Sequence, residues 1–357
     1  MNPASYNSLN KAKRGVYVNS LYEHDVQAPV ITCIGGGTGL STMLRGLKHY
    51  TSAITAIVAV TDDGGGSGRL RDELSMPPPG DIRSCILALS NIEPTMEKLL
   101  SYRFSSGYLE GQSFGNLFLA AMNGITDSFD KAVAKVGDVL AITGRVLPVT
   151  NEDIRLMAEF ENGSVVYGES NIFKAKQEQN CRIKRIQIVP SPVSALKESV
   201  QAILDADIIV FGPGSLYTSV IPNLLVGGIA GAIERSKAKK LYIANIMTQP
   251  GETEGYTVAD HIRELYRHSS PKLFDMCLVN TSAGPQELMD RYQAEGSSPL
   301  VFAEAEIRKL GVECFTAPMA ERYNNVVRHG PELLAQEILK IYRKKTPSRL
   351  FDVRREI

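Results

Sequence analysis

A β-branched apolar run, Val30-Ile31-Thr32-Cys33-Ile34, ends in Gly35-Gly36-Gly37-Thr38-Gly39, four glycines in five residues. Leu40, Met43, Leu44 and Leu47 follow at helical spacing, and Ile54–Val60 is a second strand-sized apolar run. Strand, tight turn, helix and strand make a βαβ unit, whose parallel strands need cover on both faces. Only a backbone with little or no side chain turns that tightly. The turn bares amide N–H groups beside the positive end of a helix dipole, which is a seat for an anion. This stretch fixes the class as α/β and leaves open which anion is held.

With 357 residues the chain has room for one large domain or two ordinary ones. Basic and acidic residues balance at 39 each, which removes the electrostatic case for a nucleic-acid or membrane-surface protein. No apolar run reaches the ~18–20 residues of a membrane span. Lys11, Lys13 and Arg14 precede no apolar segment of the secretory kind. Cys33, Cys85, Cys181, Cys277 and Cys314 show no metal or redox spacing and read as reduced cysteines of a cytoplasmic protein. Residues 1–28 read as a loosely ordered extension, 29–346 as the α/β domain with an insert over about 85–190, and 347–357 as a tail. A homodimer is the expectation from the frequency of two-fold assemblies.

The end of the second strand carries Thr61-Asp62-Asp63-Gly64-Gly65-Gly66-Ser67-Gly68-Arg69-Leu70-Arg71. Open α/β sheets bind ligands at the carboxyl ends of their strands. Adjacent Asp62 and Asp63 fit a divalent cation, a ribose hydroxyl or plain solvation. Arg69 and Arg71 suit a bidentate grip on phosphate. Pro77–Gly80 is a rigid turn, with Asp81 as the cap of a helix over Ile82–Ser90. A helix over Thr95–Tyr102 follows. Ser113 and Asn116, before the apolar helix Leu117–Met122, suit a ligand, although capping explains Ser113 equally well; Ser128–Val136 is helical. From Val139 to Val189 the period shortens to two. Leu140–Val149, Ile154–Phe160, Ser164–Tyr167 and Arg182–Ile188 read as an antiparallel insert, with Glu161-Asn162-Gly163 as a hairpin turn and Gly168–Asn171 facing the site.

The βα rhythm then resumes with a helix over Pro192–Leu204, capped by Ser191, and a buried strand, Asp207–Phe211. Gly212, Gly214, Ser215, Thr218 and Ser219 follow that strand and suit phosphate oxygens. Gly228–Ser236 (helix) and Lys240–Ala244 (strand) lead to a polar strand-end loop that starts at Asn245 and includes Thr248. Val258–His268 (helix), Leu273–Val279 (strand), Gln286–Ala294 (helix), Leu300–Phe302 (strand), a helix to Leu310 and a last helix over Pro331–Tyr342 complete the pattern. Four such loops on one sheet edge make a nucleotide-sized site. The dinucleotide fingerprint fails, because Leu40 stands where the third glycine belongs, so NAD(P) binding is demoted. No Walker lysine or nucleophile elbow is present. His24, His49, His261 and His268 read as surface or capping residues, and His329, beside Arg328, is the one that merits a test.

The set GGGTGL (35–40), DDGGGSGRLR (62–71), PPGDIR (78–83), GQSFGN (111–116), GPGSLYTSVIPNLLV (212–226), MTQPGETEGYT (247–257) and VVRH (326–329) resembles the bacterial gluconeogenesis factor family, YvcK-like. That family is related to the CofD-like 2-phospho-lactate transferases of deazaflavin coenzyme synthesis. The resemblance spans roughly residues 29–340 and implies a three-layer α/β/α Rossmann-like fold with a mainly parallel sheet. In the transferase branch a guanosine nucleotide is used and magnesium sits at the acidic pair, here Asp62 and Asp63, with Asp63 the catalytic candidate. The gluconeogenesis branch implies a cytoplasmic binder of UDP-sugar-type ligands, non-catalytic or weakly catalytic, linked to cell shape and cell-wall precursor supply. It also implies contacts to the nucleotide sugar from Tyr292 and Arg328. Nucleotide or phosphate contacts are thus expected from Gly36, Gly37, Thr38, Gly39, Asp62, Arg69, Ser113, Asn116, Asn245 and Thr248, with the 212–219 residues. Gly66 departs from the family's usual serine, and the N-terminal extension lies outside the motifs that carry the resemblance.

Overall fold

The computed structural model describes residues 28–323 and 325–345. The expected N-terminal extension up to residue 27, with His24, and the expected tail lie outside the described residues. β1 (Ile31–Gly35), β2 (Ile54–Val58) and β3 (Arg145–Pro148) come first. An antiparallel trio follows, β4 (Arg155–Phe160), β5 (Val165–Tyr167) and β6 (Ile183–Val189). Then come β7 (Ile208–Phe211), β8 (Lys239–Ile243), β9 (Met276–Asn280) and β10 (Glu313–Ala317), and last a hairpin of β11 (Ala320–Tyr323) and β12 (Val326–His329).

The central sheet runs β10-β9-β8-β7-β1-β2-β3, with every neighbouring pair parallel. The chain starts in the middle, builds outward through β2 and β3, and returns beside β1 to build the other half. This is the doubly wound order, and its reversal lies between β1 and β7. Every residue of β1, β2 and β7 is buried, as a strand covered on both faces requires. Helix Gly37–Leu47 buries Leu40, Met43, Leu44 and Leu47, the stripe that its sequence spacing predicts. The fold is thus the expected mixed α/β one, a parallel sheet flanked by helices with a small antiparallel sheet beside it.

Several elements differ from expectation. Leu140–Val149 does not belong to the antiparallel insert: its core, β3, pairs parallel with β2. Val146 and Leu147 are both buried, so the alternation read there was two-sided burial. The helix expected from Pro192 starts at Lys197, because the Val193–Ala195 backbone is spent in extended pairing with Gly227. Leu300–Phe302 is no regular strand; it makes single bridges, such as Thr257 with Val301. Helix Glu169–Gln179 was missed because only Ile172, Ala175 and Lys176 are buried, too thin a stripe to read. His261 and His268 are core residues rather than surface ones. His261 Nδ1 shares a 2.9 Å hydrogen bond with the Tyr242 hydroxyl, and His268 Nε2 accepts the Ile186 N–H at 3.0 Å.

Gly46 lies where helix Gly37–Leu47 crosses helix Pro331–Lys345, and a Cβ there would overlap the Pro331 carbonyl. Gly46→Ala is expected to cost about 1–3 kcal/mol through overpacking, despite the ~1 kcal/mol that alanine gains over glycine in helix propensity. Chemical denaturation checks this; a more stable variant contradicts it.

Candidate functional site

A cavity of about 1040 Å³ opens at the reversal between β1 and β7. Its floor is built by two loops that approach closer than side chains would allow. A Cβ on Gly39 would stand 2.5 Å from the Pro213 carbonyl oxygen, and one on Gly36 2.7 Å from Asp81 Oδ2. Gly37 adopts φ +65°, a left-handed conformation that favours glycine. Asn223, wholly buried, donates to the carbonyls of Gly35 at 3.0 Å and Ser219 at 2.7 Å. Asn245 pairs with Gly214 in both directions, accepting its N–H at 3.2 Å and donating to its carbonyl at 2.9 Å.

The seat at the helix N-terminus already holds an anion. Asp81 Oδ2 accepts the Gly37 N–H at 2.7 Å, and Pro79, not Asp81, stands at the N-cap of its own helix, Gly80–Leu89. Burial and the neighbouring Asp62 charge push the Asp81 carboxyl up to about 6. Glu169 is raised well above the usual carboxylate range by burial and by Asp62, Asp81 and Glu252. Burial pushes Glu252 up to about 7. The floor is therefore acidic, while Lys174 and Arg328 stand exposed at the edge.

Along the loop after β7, the Ser215 hydroxyl donates to Glu252 Oε1 and accepts the Thr218 N–H at 3.1 Å. Its oxygen also lies 2.6 Å from Thr218 Oγ1. On the opposite side the Tyr292 hydroxyl accepts the Val327 N–H at 3.0 Å, which ties helix Gln286–Ala294 to β12 and sets Tyr292 and Arg328 on one wall. His329, next along β12, is buried and hydrogen-bonded to the Ala244 backbone; burial pushes its imidazole down to about 4, so it is neutral at pH 7.

Of the residues expected from sequence, Gly36, Gly37, Thr38, Gly39, Asp62, Gly214, Ser215, Thr218, Ser219, Asn245, Thr248, Tyr292 and Arg328 line this cavity. Arg69 does not; its guanidinium donates to the Glu110 carbonyl. Nor do Ser113 and Asn116. Ser113 caps helix Phe114–Gly124 and accepts from Arg83 at 2.8 Å, and the Asn116 amide turns to Ser67. Arg71 is buried against Asp153. Gly212 sits behind the wall, with φ +74° where β7 ends.

The acidic pair diverges. Asp62 Oδ1 accepts the Gly64 N–H at 2.9 Å, whereas Asp63 Oδ1 accepts both the N–H and the hydroxyl of Ser170, at 2.9 and 2.7 Å. Among the described residues no group of three or more His, Cys, Asp or Glu side chains is placed to hold a metal ion. With Asp62 on Gly64 and Asp63 on Ser170, the pair does not form a two-carboxylate magnesium site.

Asp81, Glu252 and the face of helix Glu169–Gln179 with Phe173 and Lys174 were not expected here. Asp81 was read as a local cap, and nothing local says that its carboxyl crosses to Gly37. Glu252 carried little signal, since Glu254 two residues on is an equal acid in the same loop.

Because Asp81 is raised in the fold, its contribution to stability is fully present below pH ~4 and is lost as pH rises through about 6. Asp81→Asn keeps an acceptor for Gly37 and removes the charge. The variant is expected to be about 1–2 kcal/mol more stable than the parent at pH 8, with the gap closing toward pH 4. Urea denaturation at both pH values measures it, and equal stabilities at pH 8 would refute it.

A family model described as 2-phospho-L-lactate transferase CofD matches residues 31–320. The gluconeogenesis factor of Bacillus subtilis (strain 168) is 46% identical over 319 residues, 89% of this chain and 99% of its own. That of Halalkalibacterium halodurans is 45% identical over 311 residues, 87% of this chain and 95% of its own. The crystal structure of protein BH3568 from Bacillus halodurans superposes with a TM-score of 0.84 at 44% identity, covering 88% of this chain and all of that one. Among the described residues no helix is long and apolar enough to cross a membrane. Fold, motif order and these likenesses agree that the chain belongs to the CofD family, within its gluconeogenesis factor group.

Proposed function

We propose that the cavity binds a nucleotide sugar of the UDP-sugar type. On this reading the chain acts without turnover of its own, as a cytoplasmic and homodimeric regulator of cell-wall precursor supply and cell shape during gluconeogenic growth. One observation carries it: a cleft of about 1040 Å³ at the sheet's reversal, with hydroxyls and backbone of 213–219 on one side and Tyr292 with Arg328 on the other. That volume stands at the upper end of the ~300–1,000 Å³ typical of cofactor and ligand pockets, enough for a base, a diphosphate and a sugar together. Arg328 offers a planar fork to phosphate, and Tyr292 a ring face to a base or sugar. The name gluconeogenesis factor on the relatives supports the metabolic setting.

The family model's transferase description supports a second reading, phosphoryl-type transfer with a guanosine nucleotide. It has less behind it here, because Asp63, its catalytic candidate, spends its carboxylate on Ser170.

Isothermal titration with UDP-sugars, GDP and NAD separates these readings. A UDP-sugar is expected to bind best, and Arg328→Ala to weaken it at least tenfold, about 1.4 kcal/mol, with an unchanged melting temperature. Binding of neither UDP-sugars nor GDP would defeat the proposal, and preferential binding of NAD would replace it.

A further inference from the structure

The hydroxyl pair after β7 stands between two carboxyls. Ser215 Oγ donates to Glu252 Oε1 and lies 2.6 Å from Thr218 Oγ1, and Glu169 and Glu252 both neighbour the Thr218 side chain. Glu252 is 7% exposed, and its Oε2 has no hydrogen-bond partner among the described residues. Ser215 and Thr218 are partly exposed and line the cavity, and the more deeply buried Glu252 lines it beside them.

Proton counting then limits what this wall can hold. Each hydroxyl owns one proton, and an ionised carboxylate only accepts. With Glu252 ionised, the Ser215 proton points into the protein. The Thr218 proton goes to Ser215 or to a carboxylate. The cavity is left with lone pairs and negative charge, a surface that repels phosphate. With Glu252 protonated, its O–H donates to Ser215 Oγ, and the Ser215 proton turns outward to a ligand oxygen. One bond direction reverses, and no covalent bond other than the carboxyl O–H changes.

We propose that a phosphate group seats on Ser215 and Thr218 only together with a proton on Glu252, so that ligand binding and proton uptake are one linked event. The inference rests on reading the cavity as a phosphate site. The groups facing Glu252 favour this linkage. Glu169 from helix Glu169–Gln179 and Glu254 from its own loop both oppose a charge on it. Lys176, the cation on the neighbouring helix, is spent on Glu254 at 3.2 Å. Asp62 and Asp81 lie further along the floor, beside Glu169. Burial, which pushes the Glu252 carboxyl up to about 7, acts in the same direction as this geometry. By reciprocity, a ligand that raises proton affinity is itself bound more tightly as pH falls.

The test is titration calorimetry of the full chain from pH 6 to pH 8.5, in two buffers of different ionisation enthalpy. The ligands are a UDP-sugar and a symmetrical dialkyl diphosphate, whose phosphates keep fixed charge over that range. The parent is expected to take up close to one proton at pH 8 and to lose affinity roughly tenfold per pH unit above pH ~7. Glu252→Gln donates permanently to Ser215, and its affinity is expected to be flat with pH. Ser215→Ala is expected to bind more weakly and also to lose the slope. A protonated-carboxyl band that grows in the infrared on ligand addition at pH 8, and is missing in Glu252→Gln, reports the proton without relying on affinity. A pH-independent parent affinity with no proton exchanged overturns the linkage while leaving the nucleotide-sugar reading intact. Proton-linked binding of the dialkyl diphosphate with no preference for the UDP-sugar supports the linkage and defeats that reading. Binding of no phosphate ligand overturns both.

Discussion

Two side-chain amides, Asn223 wholly buried and Asn245 partly so, hold the centre of this molecule together. β1 and β7 are neighbours whose crossovers leave in opposite directions, so their carboxyl ends must open into a crevice. Backbone groups bared there need partners, since an unpaired buried peptide group costs as much as a lost hydrogen bond. Asn223 supplies them for Gly35 and Ser219, and Asn245 for Gly214. With the loops clamped in this way, Gly36 and Gly39 lie too close to Asp81 and Pro213 for a Cβ. The glycines that look like a phosphate turn are there at least as much for this close approach.

The second consequence concerns charge. The chain is neutral overall, with 39 basic and 39 acidic residues, yet its cavity floor gathers carboxyls. Asp81, Glu169 and Glu252 are each pushed up by burial, and Asp81 and Glu169 further by their neighbours. The floor accepts hydrogen bonds, while Arg328 at the edge brings positive charge. The cavity separates the two chemistries in space, which no count of charged residues conveys.

Much of the architecture was legible because it is encoded locally. Helix Val258–His268 begins and ends where the sequence says, fixed by a Thr257/Asp260 capping box and by apolar residues at helical spacing. Helix Glu169–Gln179 was not legible, because its buried stripe is three residues. β3 was assigned to the wrong sheet because a short apolar run looks alike in either setting until its partner is known. The hairpin of β11 and β12 hid for a related reason: its pairing runs antiparallel across only four residues on each side, short of a readable pattern.

The sequence by itself determined the α/β class, the strand-end position of the loops and the glycine-rich segments, since dihedral freedom and periodicity are properties of neighbouring residues. Only the tertiary structure decided which polar groups converge. It sent Arg69 to Glu110 and Ser113 to Arg83, turned Asp63 away to Ser170, and brought Asp81 and Glu252 to the cavity floor. A side chain's partner can lie far along the chain, as with the 44 residues between Gly37 and Asp81, and only folding closes that separation. Burial, which sets how readily a carboxyl holds its proton, exists only once those distances are closed.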